Sequence, residues 1–185
     1  MRKAIIDVGT NSIRLIIADL EGTINVCHTA IEITRIGEGM GKEQMIQSEP
    51  LARTCRKAAE FARKAREMGA EIIQMTATSA VRDAKNQADA AQALEEAAGL
   101  SLTVLSGTEE AELSYSGAAQ DFRRQGQALA VLDIGGGSTE LVYDSPSGLS
   151  KASVALGAVR LKEDPALADR LPELLQPLLT KTHAK

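Results

Sequence analysis

The sequence has 185 residues, ample for one well-buried domain and marginal for two. Apolar residues make up 44% and charged residues 25%, the balance of an ordinary globular chain. Two Phe, two Tyr, no Trp and a net charge of −4 argue against base-stacking surfaces and broad nucleic-acid binding, with only a local basic groove left open.

Cys27 and Cys55 stand in no metal-like or redox spacing and are expected to be reduced, buried thiols. His28 and His183 lack a ligand cluster, which argues against a His-based triad or a His-rich zinc site. The first strand begins almost at once, and no apolar run is long enough to span a bilayer. The expectation is a cytoplasmic protein with neither a nucleic-acid nor a membrane partner.

Residues 3–8 predict a first strand and 12–20 a second; Glu21-Gly22 turns, and 23–30 return as a third antiparallel strand. Residues 31–41 carry three glycines and predict a mobile connector, either an ordinary surface loop or one that covers a ligand. Ser48 as N-cap and Pro50 in the first turn open a helix. Leu51, Cys55, Ala58, Ala59, Ala62 and Ala65 then recur at helical spacing, and Met68-Gly69 ends it. The basic residues Arg53, Arg56, Lys57, Arg63, Lys64 and Arg66 read as a solvated face rather than a polyanion site.

Residues 71–77 predict a strand that delivers T-A-T-S-A-V-R-D-A-K-N at its end. Asn86 or Asp89 starts an alanine-rich helix that Gly99 stops, and 102–105 form a short strand. Ser106-Gly107-Thr108 turns into a helix over 109–121. The polar stretch 122–127 is the expected hinge, dividing a first lobe, 1–124, from the beginning of a second, 125–185. After the next glycine turn, a strand ends at 144, Ser145-Pro146-Ser147-Gly148 turns, and 151–156 form a third strand. The tail from Asp164 carries Pro165, Pro172 and Pro177, and can hold helical pieces but hardly one long helix.

Residues 129–143 read L-A-V-L-D-I-G-G-G-S-T-E-L-V-Y: an apolar run, a carboxylate, three glycines, two hydroxyls, a glutamate and a second apolar run. Glycines between two buried strands suit a turn whose backbone approaches a ligand with its N–H groups exposed. Residues 4–17, A-I-I-D-V-G-T-N-S-I-R-L-I-I, repeat the pattern. With Asp7 set on Asp133, an offset of 126 residues, Gly9 falls on Gly135, Ser12 on Ser138 and Leu15 on Leu141 without a gap. Such a repeat predicts two related lobes; the alternative is two unrelated hairpins that share turn residues. A full second copy would run to about residue 250, so the chain is expected to be the N-terminal portion of a longer protein. Otherwise the hairpin alone is repeated, completed by the tail or a partner chain.

Two such turns would grip phosphate oxygens through Gly9, Thr10, Asn11 and Ser12 on one side and Gly135, Gly136, Gly137, Ser138 and Thr139 on the other. Asp7 and Asp133 would repel phosphate directly but can hold Mg²⁺, which neutralises it. Arg14 is a candidate phosphate clamp or an outward-facing strand residue. Arg82 lies just past a strand end, as a ligand contact or a loop charge. Glu109, Glu110 and Glu112 open a helix, where the dipole favours their ionised form, and the pattern does not rank them.

The stretches D-V-G-T-N-S-I-R-L, T-S-A-V-R-D-A-K-N, S-G-T-E-E-A, D-I-G-G-G-S-T-E-L and L-G-A-V-R-L together resemble the exopolyphosphatase and guanosine pentaphosphate phosphatase family, within the actin-like ATPase and sugar kinase superfamily. The resemblance implies an α/β fold: a ribonuclease-H-like lobe with a mixed five-stranded sheet flanked by helices, then the start of a similar lobe, with an active cleft between. It implies Mg²⁺-dependent release of terminal phosphate from inorganic polyphosphate or guanosine pentaphosphate. It also marks Glu110 as catalytic base, Glu140 as the acidic residue that helps position water or metal, and Arg82 as a phosphate contact. A homodimer is compatible with this picture. The alternatives are an ATP-dependent kinase of the same superfamily and a non-catalytic phosphate or nucleotide sensor.

Overall fold

Strict alternation along the first strand decides which face becomes the core. In β1 (Arg2–Val8), Ala4, Ile6 and Val8 share one face, and Lys3, Ile5 and Asp7 the other. β2 (Ile13–Glu21) pairs antiparallel, setting Ile13, Leu15 and Ile17 on the face of Ile6. The computed structural model describes residues 1–41, 43–122, 129–146 and 148–182, in two compact units, Met1–Val104 and Leu105–Lys185. The expected hinge at 122–127, except the backbone of Phe122, and His183 lie outside the described residues.

In the first unit β3 (Thr23–Glu32) completes an antiparallel meander, while β4 (Ile72–Ala77) and β5 (Leu102–Val104) add in parallel. The strand order is β3-β2-β1-β4-β5, the expected mixed five-stranded sheet. Helices α1 (Ser48–Glu67) and α3 (Gln87–Ala98) cover one face. The small side chains Ala58, Ala62, Ala65, Ala90 and Ala98 let these helices approach closely, and Phe61 and Leu94 fill the space. Gly99 closes α3 in the left-handed conformation, φ +61°. Gln47, rather than Ser48, occupies the N-cap position of α1.

Two expectations change. Cys27 is exposed on β3 and donates to Asp19; Cys55 is half-buried, and desolvation pushes its thiol pKa up. The glycine-bearing connector after β3 is not an ordinary surface loop, since Thr34, Ile36, Met40 and Ile46 are buried in it. Asn86 pins its far end, accepting from the Ile46 amide at 2.9 Å and donating to the Ile46 carbonyl at 3.0 Å.

The second unit contains α4 (Gly107–Phe122), β6 (Ala130–Ile134), β7 (Thr139–Ser145), β8 (Gly148–Val154), α5 (Ala158–Glu163), a 3-10 turn (Pro165–Arg170) and α6 (Leu171–Thr182). Helix α6 runs through Pro177. The strands form an antiparallel sheet in the order β6-β7-β8. Its register repeats that of the first three strands: Asp7 faces Arg14 as Asp133 faces Glu140, and Val8 faces Ile13 as Ile134 faces Thr139.

The two copies bury opposite faces. Ile6 is fully buried and its counterpart Leu132 is 57% exposed; Ile16 is 44% exposed and its counterpart Val142 is buried. The difference lies in the covering helix. Ala111, Tyr115 and Ala119 of α4 pack on Val142, Leu129 and Val131. This packing places α4 in the second unit, so the units divide at Val104/Leu105 and not at the expected 124/125. Among the described residues no helix is long and apolar enough to cross a membrane.

Arg2 ties β1 to its neighbour β2 and to the end of α1. It donates to both carboxylate oxygens of Asp19 at 2.8 Å and to the Met68 carbonyl at 2.7 Å, just past α1. These bonds hold the Asp19 pKa down at about 2. Its stabilising contribution is complete above the ordinary carboxylate range, about 4, and is lost as pH falls through 2. Asp19→Asn should therefore lower the melting temperature at pH 7, by a margin that closes toward pH 2 in a calorimetric pH series. Leu94→Ala should cost about 2–5 kcal/mol in urea unfolding, since the side chain is fully buried.

Candidate active site

Each glycine turn begins with the same hydrogen bond. The Gly9 amide donates to the Ser12 carbonyl at 3.0 Å, and the Gly135 amide to the Ser138 carbonyl at 2.9 Å. A Cβ on either glycine would sit 3.1 or 3.2 Å from that carbonyl oxygen, too tight for a side chain without movement. The turn thus closes two strands in fixed register and leaves the acidic residues, Asp7 and Asp133, at its root.

The first turn is fastened from two sides. The hydroxyls of Thr10 and Ser79 bond at 2.8 Å in a buried contact, and the Thr78 amide reaches the Val8 carbonyl at 3.3 Å. Arg82 ends the short helix α2 (Ser79–Arg82), three residues from Ser79 and hence on the same helical side. It is mostly buried and lies 3.4 Å from Asp83. On the other side the Arg35 and Gly37 amides donate to the Asn11 and Thr10 carbonyls at 2.9 and 3.1 Å. Arg14 is exposed on β2, opposite Asp7 and on the same face. Thr76 lies beside Asp7 on β4, with its hydroxyl 3.5 Å from that carboxylate.

The second turn is fastened by the start of α5. The Ala158 and Val159 amides donate to the Gly135 and Gly136 carbonyls at 3.0 and 2.8 Å, and Arg160 Nε to the Gly137 carbonyl at 2.6 Å. In a planar trans peptide the N–H points opposite to the preceding C=O. The amides of Gly136, Gly137 and Ser138 therefore point away from α5, as do those of Asn11 and Ser12 from the segment 35–37. Successive amides aimed one way make an anion-binding concavity. The threonine hydroxyls fasten their turns: Thr10 bonds Ser79, and Thr139 donates to the Leu156 carbonyl at 2.6 Å. Ser138 is buried as well, while Asn11 is exposed.

Helix α4 brings acidic groups over the second sheet. Ser114 donates to Asp133 on β6 at 2.5 Å. At its other end Gly107 lies against Ser153 on β8, where a Cβ would sit 2.4 Å from the serine oxygen. Seven residues of helix span about 10 Å, which matches two strand spacings of about 4.8 Å. The helix therefore crosses from β8 to β6, and Glu110, midway and on the same side, passes over β7. There Glu140 is buried, opposite Asp133 in register, with one oxygen held by Ser153 at 2.7 Å. Three carboxylates, Glu110, Glu140 and Asp133, thus belong to one side of one unit.

The other two glutamates have different tasks. Ser106 and Glu109 form a capping box. The Ser106 amide and hydroxyl reach the Glu109 carboxylate at 2.8 and 2.7 Å, which lowers its pKa, while the Glu109 amide returns to the serine oxygen at 3.2 Å. Glu112 pairs with Lys151. Sequence reasoning missed Gly107, Ser114, Ser153, Gly37, Gly157 and Arg160. Gly107, Gly157 and Arg160 lie within stretches that carry the family resemblance, and Ser114 stands four residues from Glu110.

Among the described residues no group of three or more His, Cys, Asp or Glu is arranged to hold a metal by itself. The donor set fits a different mode. Asp133 and Glu140 are adjacent carboxylates, and Mg²⁺ commonly takes one or two carboxylates while water and substrate phosphate complete its shell.

A model of the Ppx/GppA phosphatase family matches residues 15–175. The chain is 38% identical over 172 residues to exopolyphosphatase 2 of Mycobacterium tuberculosis, covering 88% of this chain and 54% of that protein. It is 31% identical to a guanosine-5'-triphosphate,3'-diphosphate pyrophosphatase of Pseudoalteromonas atlantica, covering 92% of this chain and 34% of that one. It thus spans about half the length of the first relative and a third of the second. The structure resembles a PPX-GPPA enzyme of Aquifex aeolicus, with a TM-score of 0.77 and 27% identity, covering 98% of this chain and 62% of that one. An exopolyphosphatase of Cytophaga hutchinsonii, 24% identical with a TM-score of 0.83, covers 96% of this chain and 62% of its own and shares the fold.

The capping box predicts a test of which glutamate is structural. Ser106→Ala should cost about 1 kcal/mol in urea unfolding. Glu109→Gln should likewise destabilise at pH 7, with the difference fading as pH falls below the carboxylate range, because a depressed pKa stabilises only the ionised form.

Proposed function

Because this chain belongs to the Ppx/GppA phosphatase family, we propose that it acts in the hydrolysis of a terminal phosphoanhydride, in inorganic polyphosphate or guanosine pentaphosphate. The observation that carries this reading is the crossing of α4 over the second sheet. It sets Glu110 above Glu140, on the sheet whose β6–β7 turn aims three amides one way.

Each group has a role that follows from its chemistry. In the second unit the amides of Gly136, Gly137 and Ser138 hold oxygens of the terminal phosphoryl group; in the first unit the amides of Asn11 and Ser12, with Arg14 and Arg82, form a phosphate grip of the same kind. Glu110 accepts the proton of the attacking water, and Glu140, fixed by Ser153, orients that water. The water oxygen bonds to the terminal phosphorus as the bridging P–O bond breaks, and the electron pair leaves on the shortened chain. Asp133 beside Glu140 in the second unit, and Asp7 separately in the first, would each offer a carboxylate to Mg²⁺, which when bound draws charge from the phosphate oxygens. Ser114 keeps the Asp133 carboxylate in one orientation.

The test is phosphate release from long-chain polyphosphate and from guanosine pentaphosphate with no acceptor present. Where the natural protein continues past Lys185, the assay uses the complete chain. Glu110→Gln should lower turnover by about 10²–10⁴-fold while leaving polyphosphate binding nearly unchanged. Near-normal turnover would remove Glu110 from the mechanism. Phosphate transfer only in the presence of an acceptor would identify a kinase instead.

A further inference from the structure

The hairpin repeat has a third part that a gapless alignment hides. After β3 comes Ile36-Gly37, and after β8 comes Leu156-Gly157, each with a buried aliphatic residue before the glycine. The strand in the second copy is seven residues against ten in the first, so these pairs fall at a shorter offset than the turns. Each glycine meets the same place on its own turn. A Cβ on Gly157 would lie 2.5 Å from Gly136 C and O and Gly137 N, all main-chain atoms. A Cβ on Gly37 would lie 2.5 Å from Thr10 Cγ2 and 3.4 Å from the Thr10 carbonyl oxygen. Thr10 is held by its bond to Ser79 and cannot swing aside without breaking it.

Neither position requires glycine for its backbone angles. Gly157 has φ −150°, and Gly37 is not among the glycines with positive φ. The requirement is space. Only without a side chain does the following or flanking backbone come close enough to bond the turn: Gly37 and Arg35 to the Thr10 and Asn11 carbonyls, Ala158 and Val159 to those of Gly135 and Gly136.

We propose that Gly37 and Gly157 are positioning residues for phosphate binding. Each seats a backbone segment behind the turn of its own unit, and that segment draws the turn's carbonyls back so that its amides face the ligand. Arg160 extends the same hold to the Gly137 carbonyl. The proposal rests on reading the turns as phosphate grips, and its test separates the two.

The experiment is amide-resolved NMR of the 185-residue chain, titrated with tripolyphosphate in the presence of Mg²⁺, together with hydrogen exchange of the ligand-free protein. In the parent chain, Asn11, Ser12, Gly136, Gly137 and Ser138 should shift, and Gly37, Ala158 and Val159 should be protected. Gly157→Ala should abolish protection at Ala158 and Val159 and weaken the response at 136–138 by about tenfold or more, the loss of one or two hydrogen bonds to a charged ligand. The response at Asn11 and Ser12 should remain. Gly37→Ala should do the reverse. This reciprocal loss is what general destabilisation would not produce. Arg160→Met removes one bond without adding bulk, so it serves where Gly157→Ala fails to fold, and should weaken the Ser138 response alone. Full responses at 136–138 in both Gly157→Ala and Arg160→Met would overturn the proposal. No response at either turn of the parent chain, with the protections intact, would overturn the phosphate reading beneath it.

Discussion

A single main-chain hydrogen bond, made twice, sets the geometry of everything near the candidate site: the Gly135 amide to the Ser138 carbonyl, and Gly9 to Ser12. It closes each turn at a length that no side chain on the first glycine tolerates without movement. Closing the turn fixes the strand register, and a one-residue slip would carry every side chain to the other face. Asp133 therefore stands opposite Glu140, and Asp7 opposite Arg14, as consequences of the turn. The chemistry has diverged at that second position while the frame has not: one copy offers a cation, the other a buried acid.

From that frame the two units make different use of the same hairpin. The first buries the face of Ala4, Ile6 and Val8 beneath alanine-lined helices and leaves Asp7 and Arg14 on the far side. The second buries the Asp133 face beneath α4, so its acidic residues meet the hydroxyls of Ser114 and Ser153. Burying a charged or polar group is costly unless it is hydrogen-bonded, and the serines meet that requirement while fixing one carboxylate oxygen each. Gly107 belongs to the same arrangement, because its missing side chain lets α4 settle onto Ser153.

Much of the frame was legible in the residues. Alternation over a few positions placed β1, β2 and β4, and the Asp-Gly-Ser pattern at a constant offset exposed the hairpin repeat and its register. The resemblance singled out Glu110. The structure supplies a physical ground for separating it from its neighbours, since Glu109 caps the helix and Glu112 pairs with Lys151. The connector after β3 was less legible. Its glycines suggested mobility, yet at Gly37 a Cβ would meet the Thr10 methyl at 2.5 Å, a demand for space that composition does not distinguish from flexibility.

The sequence by itself determined the local features: turn, register and the periodicity of each strand and helix. These depend on residues within a few positions of one another, where backbone sterics and side-chain periodicity act directly. Only the tertiary structure decided the unit to which α4 belongs, that Thr10 and Thr139 fasten their turns, and that Gly37 and Gly157 stand behind them. Those outcomes turn on contacts between separate segments of the chain, such as Gly157 on Gly136. No periodicity encodes such a contact, and close packing alone decides which atoms have room to meet.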